Sequence, residues 1–222
     1  MSILYLDKYM VVYHKAAGLL SEGEGKDCLP TVIRAELEAR GEKNFELFTL
    51  HRLDRETEGI VVYARSSASA AKLSAQITEG RWKKVYNAWI WGDLGQKLDG
   101  QGQLCDLLYY DRRRSKSFVV DRERKGVKSA ALKYEVLKLS EDKKRTLVRV
   151  ELLTGRTHQI RVQFGSRGYA ICGDRRYGAP ADAGKTLALA AVSLSIFHPV
   201  TNEKMDFSIE PKNLDECENQ FE

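Results

Sequence analysis

A charged nine-residue run, His51-Arg52-Leu53-Asp54-Arg55-Glu56-Thr57-Glu58-Gly59, sits between two apolar segments. Residues 45–50 before it are short and mostly apolar. Residues 60–64 after it are continuously apolar and read as a buried strand. A charged connection between two strands constrains the fold strongly, because the rigid elements on either side fix where its side chains stand. Taken alone, the run is a solvated loop in which Asp54 pairs with Arg52 or Arg55.

The chain around it has 222 residues, enough for a full core in one domain or two small lobes. Hydrophobic residues make up 43% and charged residues 30%, the balance of a globular protein. No run of 18 apolar residues exists, so no membrane span is expected. The N-terminus lacks the basic and apolar regions of a secretory signal. Cys28, Cys105, Cys172 and Cys217 are scattered, without C-x-x-C spacing, and read as reduced thiols of a cytoplasmic protein rather than a zinc site or a disulfide framework. The net charge is +5, and residues 111–128 carry eight basic residues against three acidic ones, so that segment alone holds a charge of +5. Residues 203–222 hold seven carboxylates against two lysines. Charge separated in this way suggests a polyanion-facing surface, with a solvated basic loop as the alternative.

Strands are expected at residues 3–6, 10–13, 85–91, 104–110, 117–120, 130–139, 145–152, 187–197 and 205–209. A helix over 30–40 begins near Pro30 and ends before Gly41, with Val32, Ile33, Leu37 and Ala39 as its apolar side. A second helix, from about Ser66 as cap to Glu79, ends at Gly80. Residues 92–102 read as a loop, and 157–164 as a short helix opening on a capping Thr157. The pattern is a strand-rich α+β chain without βαβ alternation.

A second concentration of unusual residues is Leu153-Thr154-Gly155-Arg156-Thr157-His158-Gln159-Ile160-Arg161-Val162-Gln163-Phe164. If it turns helical at Thr157, Arg161 lies beside His158. Alone, His158 reads as a histidine holding a turn and Arg161 as a surface arginine. A third stretch, Gly168 through Cys172-Gly173-Asp174-Arg175-Arg176-Tyr177-Gly178, reads by itself only as a turn.

Together these stretches resemble the pseudouridine synthases of the RluA type. The resemblance runs from Lys15-Ala16-Ala17-Gly18, through His51-Arg52-Leu53-Asp54 with Thr57 and Gly59, to Lys83-Lys84-Val85-Tyr86. It continues through Thr154 to Val162 and Gly173 to Gly178, and ends at His198-Pro199. Three positions depart from the family pattern: Ala16 in place of proline, Glu58 in place of serine, and Gln163 in place of histidine. The resemblance implies a pseudouridine synthase fold with a mixed, mostly antiparallel central sheet, flanking helices and a deep active-site cleft. It implies one catalytic domain over 1–222, as two lobes around that cleft, without the small N-terminal RNA-binding domain that many members carry.

The implied reaction isomerises uridine in a structured RNA, with rRNA favoured and tRNA as the second candidate. Asp54 is implied as the catalytic carboxylate, nucleophile or base, with Arg161 as its ion-pair partner and Tyr86 as the ring that stacks on the base. Ile160 is implied to pack against the base opposite Tyr86, and Arg52 to enter the RNA stack as the target nucleotide leaves. His51, Thr57 and Gly59 shape the loop, while Arg55, Glu56 and Glu58 remain solvated charges. Arg112, Arg113, Arg114 and Lys116 of the basic segment, with Lys83, Lys84, Arg156 and Arg175, are expected to face phosphates. No metal and no other cofactor is expected, and the expected form is a monomer. Two other readings use the same residues. A nucleoside or glycoside hydrolase built on Asp54 would need a second placed carboxylate. A non-catalytic RNA-binding or assembly factor of the same fold would not need Asp54, Tyr86 and Arg161 together.

Overall fold

A computed structural model describes residues 2–96 and 99–214, and every structural statement below refers to these. Cys217, the acidic residues from 215 onward, and positions 97 and 98 of the expected 92–102 loop lie outside them. In chain order the elements are β1 (Ser2–Leu6), β2 (Met10–Lys15), α1 (Leu29–Ala39), β3 (Phe48–Thr49), β4 (Glu58–Ala64), α2 (Ser67–Thr78), β5 (Lys83–Trp91), β6 (Gln101–Asp111), β7 (Lys116–Val120), β8 (Val127–Leu139), β9 (Arg145–Leu152), α3 (Gln159–Gly165), β10 (Leu189–Phe197) and β11 (Lys204–Ser208). The described chain is therefore α+β and strand-rich, as the pattern predicts. Among the described residues, no helix is long and apolar enough to cross a membrane.

The chain forms two compact units. One holds Met1–Lys84 and Ala191–Glu210, the other Val85–Ala190 and Pro211–Glu222. The first unit orders its strands β1-β2-β4-β10, with β3 on β4 and β11 on β10. β2 and β4 pair antiparallel from Met10↔Ala64 to Lys15↔Gly59. All seven residues of β4 are buried, the state that a continuous apolar run requires. Met10, Val12, Ile60, Val62, Leu73, Trp82, Leu194 and Ile196 share its core.

Helix α1 carries Pro30 in its first turn and buries Leu29, Ile33 and Leu37. Ala39, expected on the apolar side, is exposed, because the helix is already ending there. Helix α2 is capped by Ser66, whose side chain accepts from the Ser69 N–H, as predicted. Its Gln76 lies buried and exchanges two hydrogen bonds with the Phe197 backbone, which ties α2 to β10. At the β1–β2 turn, Asp7 accepts from the Tyr9 and Met10 amides and meets His198 Nε2 at 2.8 Å.

The second unit orders its strands β5-β9-β8-β6-β7. β6 and β8 pair antiparallel from Gln101↔Glu135 to Tyr109↔Val127, and β6 and β7 form a hairpin closing at Asp111↔Lys116. Helix α3 packs against β6 and β7, with Val162 in a cluster with Leu108, Ala130 and Tyr177. Its start differs from expectation. Thr157 caps nothing: the N-cap is His158, in the left-handed conformation at φ 54° and without a side-chain cap. Gln159 instead ties the helix back to the segment before it: its Oε1 accepts from the Arg156 N–H and the Thr154 hydroxyl. Arg161 is thus on the second residue after the helix opens, and six consecutive side chains from Gln159 to Phe164 are buried. The helix has no solvated edge of the kind the sequence pattern implies.

Candidate functional site

In the first unit, the 51–59 loop follows β3, which is only two residues long because the chain turns away from β4 at His51. The backbone no longer pairs there, and the His51 ring takes over: its Nε2 accepts the Val62 N–H at 3.0 Å. The ring also meets Trp82 edge-on at 5.2 Å. Burial pushes the His51 imidazole down to about 3, aided by the Lys84 charge. His51 is therefore neutral at pH 7, with Nε2 as an acceptor.

Leu53, beside Asp54, is clamped in both directions: Ser21 Oγ accepts from its N–H and donates to its carbonyl, each at 3.0 Å. The Asp54 carbonyl accepts from Thr57 N–H at 3.0 Å. Beyond Asp54, the Arg55 carbonyl accepts from Gly18 N–H at 2.8 Å and from the Lys15 ammonium at 3.0 Å. Lys15 is fully buried and spends its other two protons on the carbonyls of Ala16 and Leu19. Burial pulls its pKa down to about 8, against the opposing pull of Glu56, Asp54 and Glu58. Asp54 is half-buried on this fastened loop.

Gly59, where the loop joins β4, has φ 146°, and a Cβ there would stand 2.5 Å from the Ala191 Cβ. No other residue fits. Glu58 corrects the expectation of a solvated charge: it is 6% exposed and meets His14 Nε2 at 2.8 Å. Arg52, Arg55 and Glu56 are exposed. Arg52 pairs with Glu22 at 2.5 Å, and Arg55 lies 3.7 Å from Asp27. Lys83 is exposed, while Lys84 is half-buried with its ammonium 5.6 Å over the Trp82 ring and its pKa lowered by burial.

In the second unit, Tyr86 is buried on β5, and Ile160 and Arg161 are buried in the first turn of α3. Arg161 is 8% exposed, which rules out the surface reading of that residue. Its Nε and Nη2 donate to the two carboxylate oxygens of Asp174, at 2.6 and 2.9 Å. Such a two-pronged, charge-assisted pair fixes both planes. The guanidinium also lies 5.2 Å over the Tyr177 ring. The Tyr177 hydroxyl accepts the Ser117 N–H and meets His158 Nδ1 at 2.8 Å, so His158 does hold a turn. Gly173, next to Asp174, has φ 78°, and a Cβ there would fall 1.9 Å from the Thr186 carbonyl. The segment that reads alone as a turn is what immobilises Arg161. Asp174 and Lys15 are functional supports that the residue pattern does not expose; their place within matched motifs is the only sequence signal for either. Gln163, at the third departure from the family pattern, donates to Asp106 at 2.7 Å.

Arg112, Arg113 and Arg114 form the exposed turn of the β6–β7 hairpin, held by Asp111, whose Oδ1 accepts the Arg113 and Arg114 amides. Lys116 is placed otherwise: half-buried, its ammonium lies 5.0 Å over Tyr177 and 5.7 Å over Phe118. Arg156 donates through Nε to the Ser129 carbonyl, and Arg175 through Nη2 to that of Ala181. Cys28, Cys105 and Cys172 are free thiols. Among the described residues, no three His, Cys, Asp or Glu side chains stand close enough to share a metal ion.

The model of a family described as RNA pseudouridylate synthase matches residues 9–166. A Haemophilus ducreyi protein named dual-specificity RNA pseudouridine synthase RluA is 32% identical over 216 residues, covering 94% of this chain and 92% of its own. The Escherichia coli K12 protein of the same name is 32% identical over 211 residues, covering 92% and 90%. A Bacillus subtilis protein, the uncharacterized RNA pseudouridine synthase YhcT, is 30% identical across 100% of this chain and 72% of its own. Among solved structures, human RNA pseudouridylate synthase domain containing 4 superposes with a TM-score of 0.77 at 24% identity, covering 98% of this chain and 92% of that one. That likeness speaks for the fold.

Proposed function

The chain belongs to the RNA pseudouridylate synthase family, and from that premise we propose how its residues divide the work of isomerising uridine in RNA. The activity itself is that of an RNA pseudouridine synthase, an isomerase. The C1′–N1 glycosidic bond breaks, the uracil turns, and C1′ rejoins at C5. The C5 proton is lost and N1 ends protonated, so atoms and electrons balance without a co-reactant.

Asp54 acts on the ribosyl carbon or on the base, as nucleophile or general base. What supports this above all is the loop: the backbone on both sides of Asp54 is fastened by Ser21, Thr57 and Lys15, as preorganised chemistry requires. Arg161 is its partner in our reading. A guanidinium whose Nε and Nη2 donate to Asp174 is held in a fixed orientation. Tyr86 and Ile160 enclose the detached uracil, and Arg52 takes the vacated place in the RNA stack. Arg112, Arg113 and Arg114, with Lys83, Lys116 and Arg156, face phosphates. The substrates we propose are stem-loops of rRNA and, second, tRNA. The dual-specificity names of relatives aligned along nearly the whole chain favour more than one RNA class. We take the active form to be a cytoplasmic monomer.

Asp54→Asn tests the assignment. The purified variant should bind RNA and lose turnover by about 10³-fold or more. A strain carrying it should lack pseudouridine at particular rRNA or tRNA uridines. Wild-type turnover in the variant removes Asp54 from the chemistry, and free uracil released by the wild type would point to a hydrolase.

A further inference from the structure

In the segment Ser21-Glu22-Gly23-Glu24-Gly25-Lys26-Asp27, only Ser21 enters the reading above, yet the whole segment is built against the Asp54 loop. Ser21 is 3% exposed and locked to Leu53 by two reciprocal hydrogen bonds. Its carbonyl also accepts the Tyr63 hydroxyl at 2.6 Å. The far end closes through Leu20 N–H to the Asp27 carbonyl and Leu29 N–H to the Leu20 carbonyl, each at 2.8 Å. This anchoring sets the register of two carboxylates. Glu22 follows Ser21 and Arg52 precedes Leu53, so the clamp brings Glu22 to Arg52; at the other end Asp27 reaches Arg55. One loop thus meets both arginines that flank Asp54, Arg55 also donating through Nε to the Gly18 carbonyl at 2.9 Å and lying 4.0 Å from Glu56. All four side chains are more than half exposed, and exposed pairs of this kind are weakly held.

We propose that Glu22 and Asp27 are specificity-determining residues, masking Arg52 and Arg55 until an RNA offers those arginines a better partner than a carboxylate. Non-specific RNA binding is almost wholly a matter of phosphates meeting cations. An RNA with nothing but phosphate to offer exchanges one anion for another at each arginine and gains little. A target RNA whose uridine leaves its stack also offers Arg52 stacking and hydrogen bonding, and so displaces Glu22. The loop lowers occupancy by wrong RNA more than by right RNA. This rests on the role of Arg52 proposed above.

The test is a salt titration of binding to a non-target RNA hairpin by wild type, Glu22→Gln, Asp27→Asn and the double variant. Each arginine released neutralises one more phosphate, worth about 0.7–0.9 in the slope of log K against log salt. The double variant should therefore be steeper by about 1.5 and bind the hairpin about fivefold tighter at low salt. The hairpin should correspondingly inhibit its turnover of target RNA at about fivefold lower concentration. An unchanged slope and unchanged inhibition overturn the proposal. Arg52→Ala placed in the Glu22→Gln background should erase the Glu22→Gln gain, and a gain that survives also overturns it. Arg52→Ala alone separates the two readings. If it leaves target turnover intact while the slope behaves as stated, the stacking role of Arg52 falls and the discrimination between RNAs falls with it, leaving only a mask against phosphates.

Discussion

In the loop that carries Asp54, the fastenings end on backbone atoms. Lys15 and Ser21 bind carbonyls and an amide, and His51 accepts an amide from β4. The arginines beside Asp54 are exposed; Arg52 meets an exposed carboxylate, and Arg55 meets another while its Nε donates to the Gly18 carbonyl. Around α3 in the second unit, the groups that hold Arg161 and His158 are side chains: Asp174 grips the Arg161 guanidinium, and Tyr177 meets His158. The same residue type is therefore left movable in one unit and immobilised in the other. An arginine that must follow a departing nucleotide needs the first setting. One that must hold a charge in place needs the second.

The contrast is easiest to break at Asp174. Asp174→Asn keeps the shape but removes the charge from one member of a buried, two-pronged ion pair, which should cost about 3–5 kcal/mol. The measurement is the denaturant midpoint at unchanged slope; a loss below 1 kcal/mol would mean that Arg161 is not held as described. A smaller effect sharpens the other side. His51 is held at about 3, first by burial and then by the Lys84 charge, against about 6.5 in an unfolded chain. Between those values the unfolded chain binds a proton that the folded one refuses, so stability falls as pH drops below about 6.5. The slope from this group is at most about 1.4 kcal/mol per pH unit. His51→Gln, which keeps an acceptor for Val62, should lose this part of the acid slope; equal slopes between the two proteins would show an ordinary histidine. The smallest effect on stability belongs to Arg52→Ala, under about 0.5 kcal/mol. Its turnover should nonetheless fall by about 10- to 100-fold, the scale of an unsupported flipped base. A large stability loss would place Arg52 among the fastened groups.

Local signals carried most of the fold. Ile60 to Ala64 had to be a buried strand because it is apolar at every position, and Ser66 had to cap because a helix-forming run follows it. What local pattern misjudged were places where a distant group does the work of a neighbour. Thr157 looked like a cap, yet the helix opens one residue later on a left-handed His158 without a side-chain cap, and Gln159 ties it back to Arg156. Glu58 looked like a solvated charge until His14, 44 positions away, appeared beside it. The site was legible as motif residues, whereas its supports were not. Lys15 counts as one more lysine until its three carbonyl partners are known, and Asp174 as one more turn aspartate.

The first unit is discontinuous in the chain, with Val85–Ala190 standing between its two parts. Leu194 and Ile196 of β10 belong to the same core as Met10, Val12 and Ile60. A ribosome that has delivered β1 through α2 must therefore make Val85–Ala190 before the missing strands emerge. At about 5–20 residues per second, that interval is on the order of 5–20 s. During it, the apolar face of β4 waits without β10, while the second unit completes its own five strands. Translation speed through the middle of the message, and any chaperone that meets β4 in that interval, thus bear on how much of this enzyme reaches its native state.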